Sequence, residues 1–485
     1  MIGVSTAAEV RELDRRVIED LGLPGIALME LASAAVARAI RNHHLDAARR
    51  GVVVLTGGGN NGGDGWAVAR WLHGWGIPVR VWPIAEPRTD DARTMAAVAR
   101  AAGVLEVDGP GDPGLVVDAV LGTGLTQPVR GPAVSALQRI VAWGGPVVAV
   151  DLPSGLHADT GAALGPLPRA VRTVTFARAK RGLYAGAGPA HAGEVEVVDI
   201  GLSAATPPTS LWEAALLEPS DVPWPERPPG AHKGTSGHLA VVAGSRAMAG
   251  AAVLCCQGAL AAEAGKITLV TAEGALPRLG ALPPEVMVQL LPGDRLEALP
   301  DLSWADAAVV GPGLAAGIGL GGSLRAHLEE LWQQAALPVV FDADALPAAR
   351  APAAAAERVL TPHPGEAGRL LGWSAAEVQR RRFEAVRDVA DHAGGVALLK
   401  GRFTLVDDRT LVTINPTGGP ALASGGTGDV LAGMIGGLLA RGLPASHAAR
   451  TAAWWHGRAG EALGRGGRAS ELPAALATLA TSSCR

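Results

Sequence analysis

The sequence predicts a protein of the α/β class, built as two such domains in series, and three observations carry this. From residue 51 to about residue 200, short β-branched runs alternate with helical stretches, the pattern of a parallel sheet wrapped by helices. A second alternating series with different motifs begins at residue 238. Between the two, seven prolines fall in residues 207–229, a density that opposes regular structure and reads as an inter-domain linker. The chain shows no repeat at a fixed period, so the second domain is not a copy of the first.

Taken in order, residues 5–42 read as helical. Val10, Leu13, Val17, Ile18 and Leu21 recur at helical spacing, and a second helix follows Pro24 through Ile40. The strands of the first domain are VVVL (52–55), VRVW (79–82), LVVDAVL (115–121), VVAVDLP (147–153) and residues 171–176. GEVEVVDIGL (193–202) precedes TPPTS and EPSDVPWPERPPGAHKG, which carry the linker to residue 234. The second series runs through HLAVVAG (238–244), ITLVTA (267–272), AAVVGPGL (307–314), PVVFDADAL (338–346), RVLTPHPGE (358–366), VALLKG (396–401) and TLVDD (404–408). A glycine-rich loop and a helix close it.

Bulk composition limits the function. With 485 residues, 48% hydrophobic and 18% charged, the chain is globular, and about 100–200 residues per domain favours two cores. A net charge of −4 and a pI near 6.3 argue against a nucleic-acid partner and for small ligands. Cys255, Cys256 and Cys484 form no CxxC pair, so neither a disulfide framework nor a thiolate zinc site is expected. Glu9, Arg11, Glu12 and Asp14 interrupt any signal peptide, and no window reaches the roughly 18 apolar residues of a membrane span. A cytoplasmic protein with no membrane partner is expected.

In the first domain, GGGNNGGDGWAVAR (57–70) follows a strand and opens a helix, so free amides and the positive helix end meet at an anion site. Gly57, Gly59 and Gly62 satisfy GxGxxG, with Glu86 near the end of the next strand, as in a dinucleotide fingerprint. That short pattern arises easily in a chain with 65 glycines. Asn60, Asn61 and Asp64 add amides and a carboxylate that neither the fingerprint nor a packing loop requires. Asp118, before Gly122 and Gly124, and Asp151, before Ser154, end two other strands, where ligands of open α/β sheets collect. Either aspartate alone reads equally as a helix cap; with Asn61 they also offer oxygens to a hard cation.

In the second domain, GGPALASGGTGDVLAGMIGGLL (418–439) sets Gly425, Gly426 and Gly428 before a helix whose first turn holds Asp429. Amides there suit the charge of a transferring phosphoryl group, and Asp429 suits the proton of an attacking hydroxyl. Its plainer reading is a helix cap, which needs no glycine nest. Lys400 and His363 end neighbouring strands within reach of phosphate, and no GxxxxGK[ST] loop is present. The helix around Cys255 and Cys256 reads as unreactive core.

GGGNNGGDG, VVDAVLGTGL and DLPSGLHADTG together resemble the NAD(P)H-hydrate epimerase domain. HKGTSGH, VVGPGL, DADAL, LTPHPGE, LLKG and SGGTGDVLAG resemble the ADP-dependent NAD(P)H-hydrate dehydratase of the ribokinase-like superfamily. The resemblance spans nearly the whole chain in the order of the bifunctional repair enzymes. It implies a Rossmann-like three-layer α/β/α sandwich at residues 1–217 and a ribokinase-like α/β domain at 218–485. It further implies that the first interconverts the R and S epimers of NADH and NADPH hydrated at ring C6. The second would use ADP with Mg2+ to dehydrate the S form, releasing AMP and phosphate. By the resemblance, Asn60, Asn61, Gly62, Gly63 and Asp64 contact the hydrate, with Gly122, Thr123, Gly124, Leu125, Thr126, Gln127 and Pro128. Asp151 and Lys180 stand at its reacting end, and Asn61, Asp118 and Ser154 ligate potassium. Gly313 and His363 face the hydrate in the second domain. Lys400, Gly401, Arg402, Phe403 and Thr404 hold ADP with Ala421 to Gly428, including Ser424, Gly425, Gly426, Thr427 and Gly428, and Asp429 is the base. A homo-oligomer is expected.

Several positions depart from the family pattern. Pro347 and Gly419 replace asparagines, Ala421 a glycine and Leu31 an asparagine, while Glu263 and Lys266 fall in a normally glycine-rich turn. Three other readings remain at this stage: an ATP-dependent sugar or vitamin kinase, a dinucleotide sensor without turnover, and a hydride-transferring dehydrogenase. The last leaves the second domain unexplained.

Overall fold

The computed structural model describes residues 1–201, 213–314, 321–351 and 356–483; TPPTS (206–210) and Cys484 lie outside the described residues. The chain divides into two compact units, Ile2–Ala214 and Ala215–Arg485, with Met1 grouped with the second.

In the first unit seven strands form a parallel sheet in the order Leu105–Glu106, Val79–Pro83, Val52–Thr56, Leu115–Ala119, Val147–Val150, Ala170–Phe176, Glu194–Val198. Alternation along each strand sends side chains to both faces. Val52 and Val54 join a cluster with Ile40, Trp66 and Ala96 from three helices, whereas Val53 and Leu55 join Leu137 and Ile140 of the Pro132–Trp143 helix. Both faces are therefore covered, giving three layers. Each large side chain fully buried this way contributes about 1.5–3 kcal/mol.

Ahead of the stretch expected to be helical, residues 5–42, lies a strand, Ile2–Ser5, which takes in only its first residue and runs parallel to Ala179–Lys180 with Ser5 beside Lys180. Thr6 then caps the helix Ala7–Arg15 through a reciprocal bond set with Glu9. A π-helical turn, Arg16–Asp20, and Pro24 separate this from the helix Gly25–His43. Four residues of strand are too few for periodicity to reveal.

The second unit carries seven parallel strands, ordered Met287–Leu291, Lys266–Ala272, His238–Val242, Ala307–Val310, Val339–Phe341, Arg358–Leu360, Val396–Leu399. Thr404–Asp407 and Val412–Asn415 then pair antiparallel, because the short connections after Val396–Leu399 leave no room for a crossover helix. The helices Ala249–Ala261 and Thr427–Ala440 cover one face in the main core cluster. On the other, Trp332 of the Gly322–Gln334 helix stacks on Phe341 at 4.8 Å. From residue 213 onward the proline-rich segment is more ordered than a linker. Ala214–Leu216 is a strand, Pro219–Asp221 is a 3-10 turn, and Leu217, Val222 and Trp224 are buried in the core.

Candidate active sites

The glycines at 57–65 act first through packing. A Cβ on Gly57 would lie 2.0 Å from the Val120 carbonyl oxygen, and one on Gly62 would lie 1.8 Å from the Gly57 carbonyl oxygen. The strand end and the helix Asn60–Gly74 approach too closely for any side chain, while a Cβ on Gly63 would meet the tip of the Met29 side chain at 2.8 Å and the Ala92 backbone at 3.0 Å. Gly62 and Gly63 thus hold the loop rather than line the cavity beyond it. That cavity, about 1060 Å³, is lined by Gly57–Asn61, Asp64, Gly122–Pro128, Asp151 and Lys180. Glu86, the acidic residue of the dinucleotide fingerprint, is exposed near Arg100 and lies outside the lining.

At the deep end Lys180 Nζ donates to Asp151 Oδ1, to Thr175 Oγ1 at 3.0 Å and to the Phe176 carbonyl at 3.2 Å. Thr175 Oγ1 also donates to Asp151 Oδ1, at 3.0 Å. The Lys180 side chain is 1% exposed, so these protein partners take the place of water around it. Asp151 adopts φ +67°, a left-handed conformation that costs a non-glycine residue about 1–3 kcal/mol and aims the carboxylate at Lys180. Burial, then the Asp151 and Asp14 charges, raise the Asp64 carboxyl well above its usual range.

Asp118, at the end of the Leu115–Ala119 strand, is fully enclosed. Ser154 donates its backbone N–H to Oδ2 at 2.8 Å and its hydroxyl to Oδ1 at 2.5 Å. Burial raises this carboxyl against those bonds. Asn61 stands against Gly122, and its buried Nδ2 has no partner among the described residues.

The second unit brings Asp429, Lys400 and Gly428 together. Gly426 takes φ +92° before the helix Thr427–Ala440, which side-chain-bearing residues adopt only under strain, and turns the chain into it. Further along, a Cβ on Gly433 would lie 1.9 Å from the Cys255 carbonyl oxygen, and one on Gly258 would lie 2.2 Å from that of Val430. The helices therefore meet backbone to backbone, which fixes Asp429 in its first turn. Cys255 and Cys256 are buried core, and burial pushes the Cys256 thiol up to about 12.

Burial, with the Asp342 charge next, raises the Asp429 carboxyl to about 7, against the lowering effect of Lys400. Lys400 Nζ donates to Asp342 Oδ1 at 2.6 Å, and Thr361 Oγ1 donates to the same oxygen at 2.7 Å. Arg382, buried behind the strand end, donates to the carbonyls of Leu399, Lys400 and Phe403 and so shapes the 400–404 loop. His456 donates from Nε2 to the Thr427 carbonyl at 2.9 Å, and burial lowers it to about 4, so the imidazole is neutral. His363 caps its helix, Nδ1 accepting from Gly365 N at 3.0 Å, with its ring half exposed. The Gly313 carbonyl accepts from Ser245 Oγ at 2.8 Å.

Asp342, Thr361, His456, Thr175 and Asp14 carry no role in the sequence reading. Asp342 was reachable, since it follows a strand as Asp118 and Asp151 do. Asp14 and His456 lie within helices, away from the strand ends and glycine-rich loops that marked the other residues.

Two family models match this chain, one described as YjeF-related protein N-terminus over residues 25–182 and one as NAD(P)H-hydrate dehydratase over 239–480. A relative from Moorella thermoacetica, named bifunctional NAD(P)H-hydrate repair enzyme Nnr, is 37% identical, covering 95% of this chain and 92% of its own. The chain belongs to the bifunctional NAD(P)H-hydrate repair enzyme family. The family member from Escherichia coli K12 is 36% identical, over 94% of this chain and 89% of its own. A solved Bacillus subtilis ADP/ATP-dependent NAD(P)H-hydrate dehydratase, co-crystallised with ATP and Mg2+, is 32% identical. It covers 53% of this chain and 94% of its own, with a TM-score of 0.47. Among the described residues, no helix of this family member is long and apolar enough to cross a membrane.

Proposed function

We propose that this chain repairs hydrated NADH and NADPH, interconverting their R and S epimers and dehydrating the S epimer at the expense of ADP. We place the first activity in residues 1–217 and the second in 218–485, working in the cytoplasm on small molecules, with neither nucleic acid nor membrane as partner. The observation that carries this is Asp429, a half-buried carboxyl in the first turn of a helix entered through a glycine turn, with the Lys400 ammonium against the adjacent Gly428.

For dehydration, Asp429 takes the proton of the C6 hydroxyl as that oxygen attacks the terminal phosphoryl group of ADP, and AMP departs. The amides of Gly425 to Gly428 stabilise the charge building on the phosphoryl oxygens. The phosphorylated oxygen then leaves as phosphate, pushed by the ring nitrogen, and loss of a C5 proton restores the C5–C6 double bond. Lys400 to Thr404 and Ser424 hold the nucleotide, while Gly313 and His363 face the hydrate. Asp342, Glu366 and Asp344 add negative charge around Asp429 against the single ammonium of Lys400. That acidic setting suits a nucleotide carrying Mg2+, which supplies the charge neutralisation the phosphates need.

For epimerisation, Asn60, Asn61, Asp64 and Gly122 to Pro128 hold the hydrate, with Gly62 and Gly63 fixing the loop, and Asp151 with Lys180 handles the protons. Asp118, Ser154 and Asn61 suit a potassium ion. The enclosed carboxylate has no ion-paired cation among the described residues, and Asn61, whose amide orientation can invert, has an unsatisfied Nδ2 against Gly122, which closely follows that strand. The ion would supply the missing countercharge. Assembly as a homo-oligomer belongs to the same proposal. The outer strand Met287–Leu291 leaves Met287, Val288 and Leu290 exposed, and light scattering reads the mass.

Incubating the protein with purified S epimer, ADP and Mg2+ tests the proposal. Equimolar NADH, AMP and phosphate are expected; a phosphorylated product that accumulates only with ATP would identify a kinase instead.

A further inference from the structure

We infer that Asp14 is a second acid–base group of the epimerisation site, working as a pair with Asp151. The inference rests on the hydrate-repair reading and adds a residue to its first cavity. Asp14 lines that cavity with Asp151, Asp64 and Lys180, yet enters from a different element, the helix Ala7–Arg15. The strand Ile2–Ser5, paired beside Lys180, leads into that helix, and Ala7 N–H donates to Asp159 Oδ1 at 2.6 Å. Both ties hold the helix against the strand ends that carry Asp151 and Lys180.

Among the described residues, no group hydrogen-bonds the Asp14 carboxyl. Its helix neighbours Glu9 and Glu12 bond Thr6, Arg15 and Arg16. A π-helical turn follows one residue later, a local geometry that recurs at functional sites. Burial raises this carboxyl to about 6, Lys180 opposing and Asp151 assisting. The charged groups that share its cavity are Lys180, Asp151, Asp64 and Asp91 from other elements, Arg88 and Arg130 from loops, and Arg11 from its own helix.

Inverting C6 needs one group to give a proton and another to take one. One carboxyl protonates the C6 hydroxyl, the C–O bond breaks, and water departs as the ring nitrogen forms an iminium with C6. Water then adds to the other face, its oxygen bonding C6 and its extra proton passing to the second carboxylate. One water leaves and one enters, the pair still holds a single proton, and nothing is oxidised. A pair active with one proton gives a bell-shaped kcat/KM.

The test is the pH profile of epimerisation for the full chain and for Asp14→Asn and Asp14→Glu, with dehydration of the S epimer as control for the fold. Asp14→Asn is expected to lower epimerase kcat/KM about 100-fold and to remove the alkaline limb, with Asp14→Glu recovering part of both. Epimerisation by Asp14→Asn within about threefold of the parent, with both limbs in place, would overturn the inference. A parent chain that dehydrates the S epimer and never converts the R epimer would overturn the underlying reading and this inference together.

Discussion

Lys400 and Asp342 form an enclosed ion pair, Nζ to Oδ1 at 2.6 Å, whose ammonium also abuts the backbone at Gly428, where a Cβ would lie 3.1 Å from Nζ. One lysine thus joins the strand ends to the first turn of the Asp429 helix. Removing Lys400 leaves the Asp342 charge, 2% exposed, unpaired, a loss of about 3–5 kcal/mol. Lys400→Met is therefore expected to lower the unfolding free energy, and adding Asp342→Asn to it should recover much of that loss without restoring dehydration. Denaturant melts and ADP-dependent turnover separate the two effects. Recovery of turnover in the double variant would remove Lys400 from the chemistry.

The Asp429 carboxyl links activity to pH and to stability. Dehydration is expected to fall about tenfold per pH unit below 7, because the base must be ionised. For stability the sign is opposite. A folded-state value of about 7 against an ordinary 3.8 means the native state holds the extra proton between those limits, so stability declines as pH rises through that window. The whole shift is worth on the order of 4 kcal/mol. Asp429→Asn should abolish dehydration, spare epimerisation, and melt higher than the parent at pH 8. Equal melting at pH 8 would mean that the carboxyl is not raised.

The potassium site proposed at the enclosed Asp118 predicts that epimerisation depends on a monovalent cation. Exchanging potassium for tetramethylammonium is expected to slow epimerisation at least tenfold and leave dehydration unchanged, and Asp118→Asn should abolish the response. The neutral amide keeps a Ser154 contact, so the fold is preserved. An epimerase indifferent to the cation would dismiss the potassium site.

Glu263 occupies the turn between the Ala249–Ala261 helix and the next strand at φ +62°, where the family pattern has glycines. Its carboxylate accepts from Trp224 Nε1 at 3.3 Å and lies 3.6 Å from Arg441. Glu263→Gly and Glu263→Ala lose those contacts alike, but only glycine relieves the backbone. The glycine variant should be about 1 kcal/mol more stable than the alanine variant. Equal stabilities would show that the turn carries no strain.

The alternating β-branched runs and the strand-end motifs made the two α/β units and most of each site legible, because parallel strands are continuous apolar blocks and their ends hold the ligand-facing groups. Asp429, Lys400, Asp118 and Asp151 were found through that logic. Gly62, read in the sequence as a ligand contact, also serves a close approach to the Gly57 backbone that only three dimensions reveal. Asp14 and His456 escaped because a charged or imidazole residue within a helix carries no local mark of what it faces. The strands Ile2–Ser5 and Met287–Leu291 were missed because both are short and lie outside the alternating apolar blocks.

The central claim is two activities in one chain. Mixed R and S epimers of hydrated NADH, given with ADP, Mg2+ and potassium to the purified protein, put it to a single absorbance measurement. The account requires full return of the reduced-nicotinamide signal, both epimers being consumed. Return of the S fraction alone would contradict the epimerase, and no return with either ADP or ATP would contradict the account as a whole.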